Sequence, residues 1–194
     1  MRAKFCAENI LLATALFMAG LVGFAPGAQA QEETGQVTVN LTFLPVQTIA
    51  VTPAQKTVEV LYATVDDYQN GVAVTQDDHL TVFSTGGFLV SVQASDANFT
   101  RVGGSETIPV GDITVKAFQG TGNQTPAVFA SAPLSASSGT PLITSEKGGR
   151  DLKYGVTYDN TAAGGENKYI DKFTGADKEG AVYTSEVTYT ITTP

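Results

Sequence analysis

The sequence predicts an all-β protein, an antiparallel Ig-like β-sandwich of about seven to ten strands. Three observations carry that expectation. From Gln31 to the end, 164 of the 194 residues, there are 25 threonines and 19 valines, β-branched side chains that fit a pleated surface better than a helix. Apolar and polar residues alternate in segment after segment, which puts one face of each segment in a core. Gly, Pro, Asn and Asp recur between these segments at turn positions.

Residues 1–30 read as a cleaved signal peptide. Arg2 and Lys4 form a positive start, residues 10–24 are apolar, and Ala28 and Ala30 are the small residues of a cleavage site before Gln31. The apolar run falls short of the roughly 20 residues that cross a bilayer. Cys6 precedes it, so it is not a lipid-attachment cysteine. The expected product is exported across the inner membrane, carries no transmembrane anchor, and resides at the cell surface, outside the cell or in the periplasm. Residues 31–194 are expected to form a single domain, with 31–36 a flexible start.

The strands follow in order. In residues 37–43 Val37, Val39, Leu41 and Phe43 alternate with Thr38, Asn40 and Thr42, predicting a first strand with one apolar face. Residues 57–63 alternate through Val58, Val60 and Tyr62. Residues 79–94 read as a hairpin turning at Gly86 and Gly87, which would supply positive φ angles and set Phe83 opposite Val90 and Thr81 opposite Val92, both on the face toward the core, and His79 opposite Ala94. Ile113, Val115 and Ala117 mark a further strand, as do Leu152, Tyr154, Val156 and Tyr158. The chain closes on Tyr183, Val187, Tyr189 and Ile191, with threonines on the other face. Residues 120–141 read as a long surface connection holding the short apolar piece Val128–Phe129, residues 159–165 and 174–180 read as loops, and no stretch has convincing helical periodicity.

Several of these segments together resemble a known group. The run from Val37 to Ile49, Asp67-Tyr68-Gln69-Asn70-Gly71-Val72 leading to His79-Leu80-Thr81-Val82, Leu142-Ile143-Thr144-Ser145, and the closing run from Tyr183 to Ile191 resemble small secreted β-sandwich surface proteins of Bacteroidota. These are similar in turn to the WxL-like, spore-coat-U-like and pilin-like group of Ig-type domains. The resemblance implies an exported surface or fibre component and no catalytic activity. The chain has no tryptophan, so the Trp-x-Leu signature is missing and peptidoglycan binding is not carried over.

Composition limits the chemistry further. After residue 30 there is no cysteine and one histidine, His79, so thiol chemistry and Cys- or His-rich zinc sites are excluded. No Gly-x-Ser-x-Gly elbow and no glycine-rich phosphate loop before a helix occurs. Nine basic residues against eighteen acidic ones from Gln31 onward make a surface that repels phosphate backbones, which argues against nucleic acid as partner.

Four acids remain as candidate metal ligands. Asp66, Asp67, Asp77 and Asp78 flank a loop containing Asn70 and Gly71, and clustered carboxylates in irregular loops can hold Ca²⁺. The plainer reading is two solvated acidic turns, and no other cofactor is expected. His79 is expected at the edge of the core, hydrogen-bonded to backbone, with a pH-switch or ligand role as the alternative. Tyr154, Tyr158, Tyr169, Tyr183 and Tyr189 either cap the sandwich edges or form a platform for a sugar ring.

The expectation that follows is a non-enzymatic exported protein, structural or adhesive, that acts by self-association or by binding another surface protein. Val37, Val39, Leu41 and Phe43 are its candidate interaction residues, because an apolar row at a chain end can pair with an exposed sheet edge of a neighbour. A carbohydrate- or ligand-binding module is the alternative. Whether the row closes its own sheet or pairs elsewhere is left open by alternation alone.

Overall fold

The computed structural model describes residues 33–137, 139–172 and 180–194. The expected signal peptide with Ala28, Ala30 and Gln31 lies outside the described residues, as does most of the expected loop at 174–180. By Cα proximity the chain divides into Met1–Leu41 and Thr42–Pro194. In the first unit residues 33–41 are exposed and carry no regular structure. The second holds every strand.

The fold is an all-β sandwich, as the composition predicts. Twelve strands are formed among the described residues: β1 (Gln47–Val51), β2 (Ala73–Ser84), β3 (Phe88–Ala94), β4 (Asn98–Arg101), β5 (Thr107–Pro109), β6 (Thr114–Gln119), β7 (Val128–Phe129), β8 (Ser131–Pro133), β9 (Thr140–Ser145), β10 (Gly149–Asp159), β11 (Tyr183–Thr184) and β12 (Val187–Thr192). The number exceeds the expected ten because four of them, β5, β7, β8 and β11, are only two or three residues long. One antiparallel sheet has the order β1-β2-β10-β6-β8, a second β12-β3-β9-β7, and a small third β11-β4-β5.

The core lies between the two large sheets. Leu80, Val82, Tyr154, Val156 and Val115 face it from the first, and Phe88, Val90, Val92, Leu142 and Ile143 from the second; all are essentially inaccessible. Alternation identified the buried face of β6, β10 and β12 correctly, because a period-two apolar row is what a one-sided strand requires.

Several expectations are corrected. Residues 79–94 do not form a hairpin: β2 and β3 lie in different sheets, and the Gly86–Gly87 turn crosses from one to the other. Phe83 pairs with Thr48, while Val90 pairs with Ile143 and Ile191. Neither Gly86 nor Gly87 has a positive φ. The inward row of β2 is Leu80, Val82 and Ser84, not Thr81 and Phe83, because β2 pairs with β1 and β10 and not with β3, which sets Leu80 opposite Tyr154 and Val82 opposite Leu152. Gln76 pairs with Val156 and Leu80 with Tyr154, so a bulge places two extra residues on β2 between them, where Asp78 has φ 51°; the even-numbered residues stay inward on both sides of it, and within it His79 is buried next to Leu80.

Residues 57–63 form no strand. β1 follows β2 as far as Val51 opposite Leu80, and Thr52 donates its amide to the His79 carbonyl at 2.9 Å. Pro53, which has no amide, then opens a 3-10 turn, Pro53–Gln55. Beyond it Val58 and Val60 still pack against the core, yet the main chain of residues 57–61 takes part in no backbone hydrogen bond among the described residues.

Residues 37–43, expected as the first strand, likewise belong to no ladder. Two short helices also occur where none was expected: α1 (Val65–Asn70) and α2 (Thr161–Gly164). α1 starts on a capping box in which the Thr64 hydroxyl accepts from the Asp67 amide and the Asp67 carboxylate accepts from the Thr64 amide. The connection at 120–141 contains β7 and β8.

Candidate functional site: an exposed apolar row and an open sheet edge

Val37 is 87% exposed, Val39 78%, Leu41 80% and Phe43 87%. Exposing one such side chain is ordinary, but four in strict alternation make an apolar edge rimmed by Thr38, Asn40 and Thr42. At roughly 25 cal/mol per Å² of apolar area removed from water, covering even half of that row favours association by several kcal/mol before entropy is subtracted. Backbone outside any ladder also leaves its amides and carbonyls to pair with whatever edge is offered.

Open edges are present on the sandwich. β1 ends the first sheet and β12 the second, and their Cα atoms approach within 8 Å. Both face the core with apolar residues, Ile49 and Val51 from β1, Val187, Tyr189 and Ile191 from β12, and all five are only partly buried although they pack against it. Interior counterparts such as Leu80 and Val82 are 0% exposed. This side of the sandwich is therefore less completely covered than its centre.

His79 anchors the same side. It is buried among polar partners from three elements, not bonded to backbone as expected. Gln55 donates from Nε2 to the Asp77 carbonyl at 2.9 Å, which fixes its amide orientation. Its Oε1 therefore accepts from His79 Nδ1 at 3.1 Å, and His79 Nε2 accepts from the Tyr158 hydroxyl at 3.0 Å. The Tyr158 oxygen then accepts from Tyr189 at 2.7 Å. Both tyrosine rings stand edge-on to the imidazole, with centroids 5.8 Å away. Desolvation lowers the His79 pKa and raises those of Tyr158 and Tyr189, the latter also because it donates to Tyr158. The relay holds neutral groups and ties β12 to β10, β2 and the turn after β1.

The five tyrosines expected as a platform are not brought together. Tyr154 is in the core beside Phe88 and Phe129; Tyr158 and Tyr189 belong to the relay; Tyr183 donates to the Lys172 carbonyl at 3.0 Å. Tyr169 instead joins Tyr62 and Tyr68, which the alternation did not single out as ligands for anything. Tyr169 donates to Asp112 Oδ2 at 2.6 Å, and Lys168 reaches the same oxygen at 2.7 Å. The Tyr62 hydroxyl donates to Asn160 Oδ1. Desolvation, with Asp112 close by, pushes the Tyr62 hydroxyl up to about 12. Nearby, Gln69, Asn70, Thr161, Glu166 and Lys168 line a polar cleft of about 390 Å³.

The candidate calcium ligands are occupied locally. Asp67 accepts from the Ala63 and Thr64 amides at 2.9 and 2.7 Å, and Asp66 from Asn70 Nδ2 at 2.7 Å. Asp78 accepts from the Thr121 amide at 2.8 Å and from its hydroxyl. These bonds favour the ionised forms and lower both the Asp67 and Asp78 pKa values. Asp77 is exposed on β2. Among the described residues no three acidic, His or Cys side chains gather where a metal ion could be held, and no helix is long and apolar enough to cross a membrane.

Compared with known proteins, the chain matches no family model and no curated protein.

Proposed function

We propose that this chain is a non-enzymatic exported surface protein, a structural or adhesive subunit that associates with its neighbours by β-strand addition. The observation that carries the reading is the unladdered row Val37, Val39, Leu41 and Phe43, four apolar side chains at three-quarters exposure or more. A strand with one apolar face gains both burial and backbone hydrogen bonds when it completes a sheet. The leader-like residues 1–30 support export, and the resemblance to pilin-like surface domains supports the structural role.

The test compares the chain from Gln31 with a version starting at Val46, by analytical ultracentrifugation at rising concentration. Association of the first and a folded monomer of the second are expected. Two folded monomers at high concentration refute the reading.

A second reading rests on the polar cleft beside Tyr62, Tyr68 and Tyr169: a ligand-binding module for a small polar molecule such as a sugar. Glycan-array binding that disappears on Lys168→Ala supports it, and a blank array removes it.

A further inference from the structure

We infer that the polar cleft beside Tyr62, Tyr68 and Tyr169 takes an amino sugar, a pyranose carrying a primary ammonium group, and that Glu166 is the residue that selects the ammonium. The inference rests on the second reading above, in which this cleft is a ligand site, and names the class of ligand.

The size and lining of the cleft set the first limit. Its volume of about 390 Å³ falls near the lower end of small-molecule sites, about 300–1,000 Å³. Gln69 and Asn70 end α1, Thr161 and Ala162 belong to α2, and Glu166 and Lys168 lie on the loop that follows. Amides, a hydroxyl and two charged groups suit a ligand rich in hydroxyls, and the Ala162 methyl offers a little apolar surface to the carbon face of a ring.

Most of these groups are already engaged. Asn70 Nδ2 donates to Asp66 at 2.7 Å, the Thr161 hydroxyl donates to Asp159 at 2.6 Å, and Lys168 Nζ donates to Asp112 Oδ2 at 2.7 Å. The Lys168 charge is therefore balanced, and by a carboxylate whose side chain is only 11% exposed. The Glu166 carboxylate takes part in no side-chain hydrogen bond or ion pair among the described residues. The unbalanced charge in the cleft is thus negative, and Thr161 has only lone pairs left to offer. Such a set prefers a ligand that donates hydrogen bonds and carries positive charge, and the net charge of −8 attracts cations from a distance.

The backbone holds Glu166 in place. Its amide donates to the Gln69 carbonyl at 2.8 Å and the Asn167 amide to the Tyr68 carbonyl at 2.7 Å. Both residues have positive φ, 54° and 59°, a region that side chains disfavour. Two successive side chains held there, at the mouth of a cleft, are the kind of local strain that accompanies binding loops. Beneath them Tyr169 donates to Asp112 Oδ2 at 2.6 Å and Asn160 to the Asp112 carbonyl at 2.9 Å, so the loop stands on a fixed base.

The experiment titrates the chain from Gln31 with glucosamine, N-acetylglucosamine, glucose and ethanolamine by isothermal calorimetry at about pH 6, where a primary amine is protonated. Glucosamine is expected to bind saturably and at least about fivefold more tightly than the other three, the advantage shrinking with added salt. Glu166→Gln, which keeps the shape and removes the charge, is expected to bring glucosamine to the level of glucose and leave the glucose affinity unchanged. Equal binding of glucose and glucosamine, or a Glu166→Gln chain that keeps the preference, overturns the inference and leaves the cleft a site for neutral sugars. Ethanolamine binding as tightly as glucosamine overturns the sugar assignment. Absence of binding by all four overturns the inference, and a blank glycan array then removes the reading beneath it.

Discussion

The hydroxyls of Tyr158 on β10 and Tyr189 on β12 meet at 2.7 Å, joining a central strand of one sheet to the edge strand of the other. Tyr158 donates onward to His79, so the two phenols contribute unequally. Tyr189→Phe removes one bond accepted by Tyr158 and is expected to cost about 0.5–1.5 kcal/mol. Tyr158→Phe leaves a buried imidazole nitrogen and the Tyr189 hydroxyl both without their partner, and is expected to cost about 2–3 kcal/mol. Urea unfolding of the two variants checks the order; equal losses contradict the directed relay.

Stability is expected to fall with acidity because of the same histidine. Burial lowers the His79 pKa from its ordinary 6.5, so as pH drops through about 6.5 the unfolded chain takes up a proton that the folded chain refuses. The contribution is complete above that pH and declines below it, until the folded-state pKa is reached. Urea midpoints measured between about pH 8 and about pH 5 should fall, and His79→Gln should flatten that part of the profile. An unchanged slope in the variant assigns the decline to other groups.

A second pH effect lies lower. Asp159 accepts from Lys116 and from the Thr161 amide and hydroxyl, which hold its carboxyl down to about 2. Because the folded pKa lies below the ordinary 3.8, its stabilisation is present above 3.8 and lost as pH falls toward 2. Lys116 is half exposed, so solvent screens much of the pair. Asp159→Asn is expected to cost about 1 kcal/mol at neutral pH, read from chemical denaturation, with the difference from the parent narrowing in acid.

The crossing between the sheets supplies a steric prediction. A Cβ at Gly148 would overlap the Ser84 carbonyl and the Gly86 amide, whereas a Cβ at Gly86 meets nothing within 4 Å. Gly148→Ala is expected to destabilise by about 2 kcal/mol or more, and Gly86→Ala by less than about 0.5 kcal/mol. Thermal unfolding of both variants separates close packing at Gly148 from a general intolerance of the turn.

Leu41→Asp separates folding from association. Leu41 is outside every ladder and 80% exposed, so its substitution should leave the unfolding midpoint within about 0.5 kcal/mol of the parent while abolishing concentration-dependent association. A large loss of stability would show that the row is covered within its own chain.

The all-β class and the buried faces of β6, β10 and β12 were legible in residue order, since each needs only a local apolar alternation and neighbouring turns. α1 was legible in principle through Thr64 and Asp67, three residues apart, but six residues are too few to show a helical period. The relay was not legible: Gln55, His79, Tyr158 and Tyr189 are scattered over more than a hundred residues. The inward face of β2 was misassigned because the expected hairpin set Phe83 against Val90; pairing with β1 and β10 instead turns Leu80 and Val82 to the core.

Residues 37–43 and 187–192 carry nearly the same alternation, yet the first belongs to no ladder and the second pairs with β3 along its length. Alternation determines which face of a segment must avoid water. Which strand covers that face, and whether it comes from the same chain, depends on backbone hydrogen bonds between residues far apart in sequence, so it is decided only when the sheets assemble.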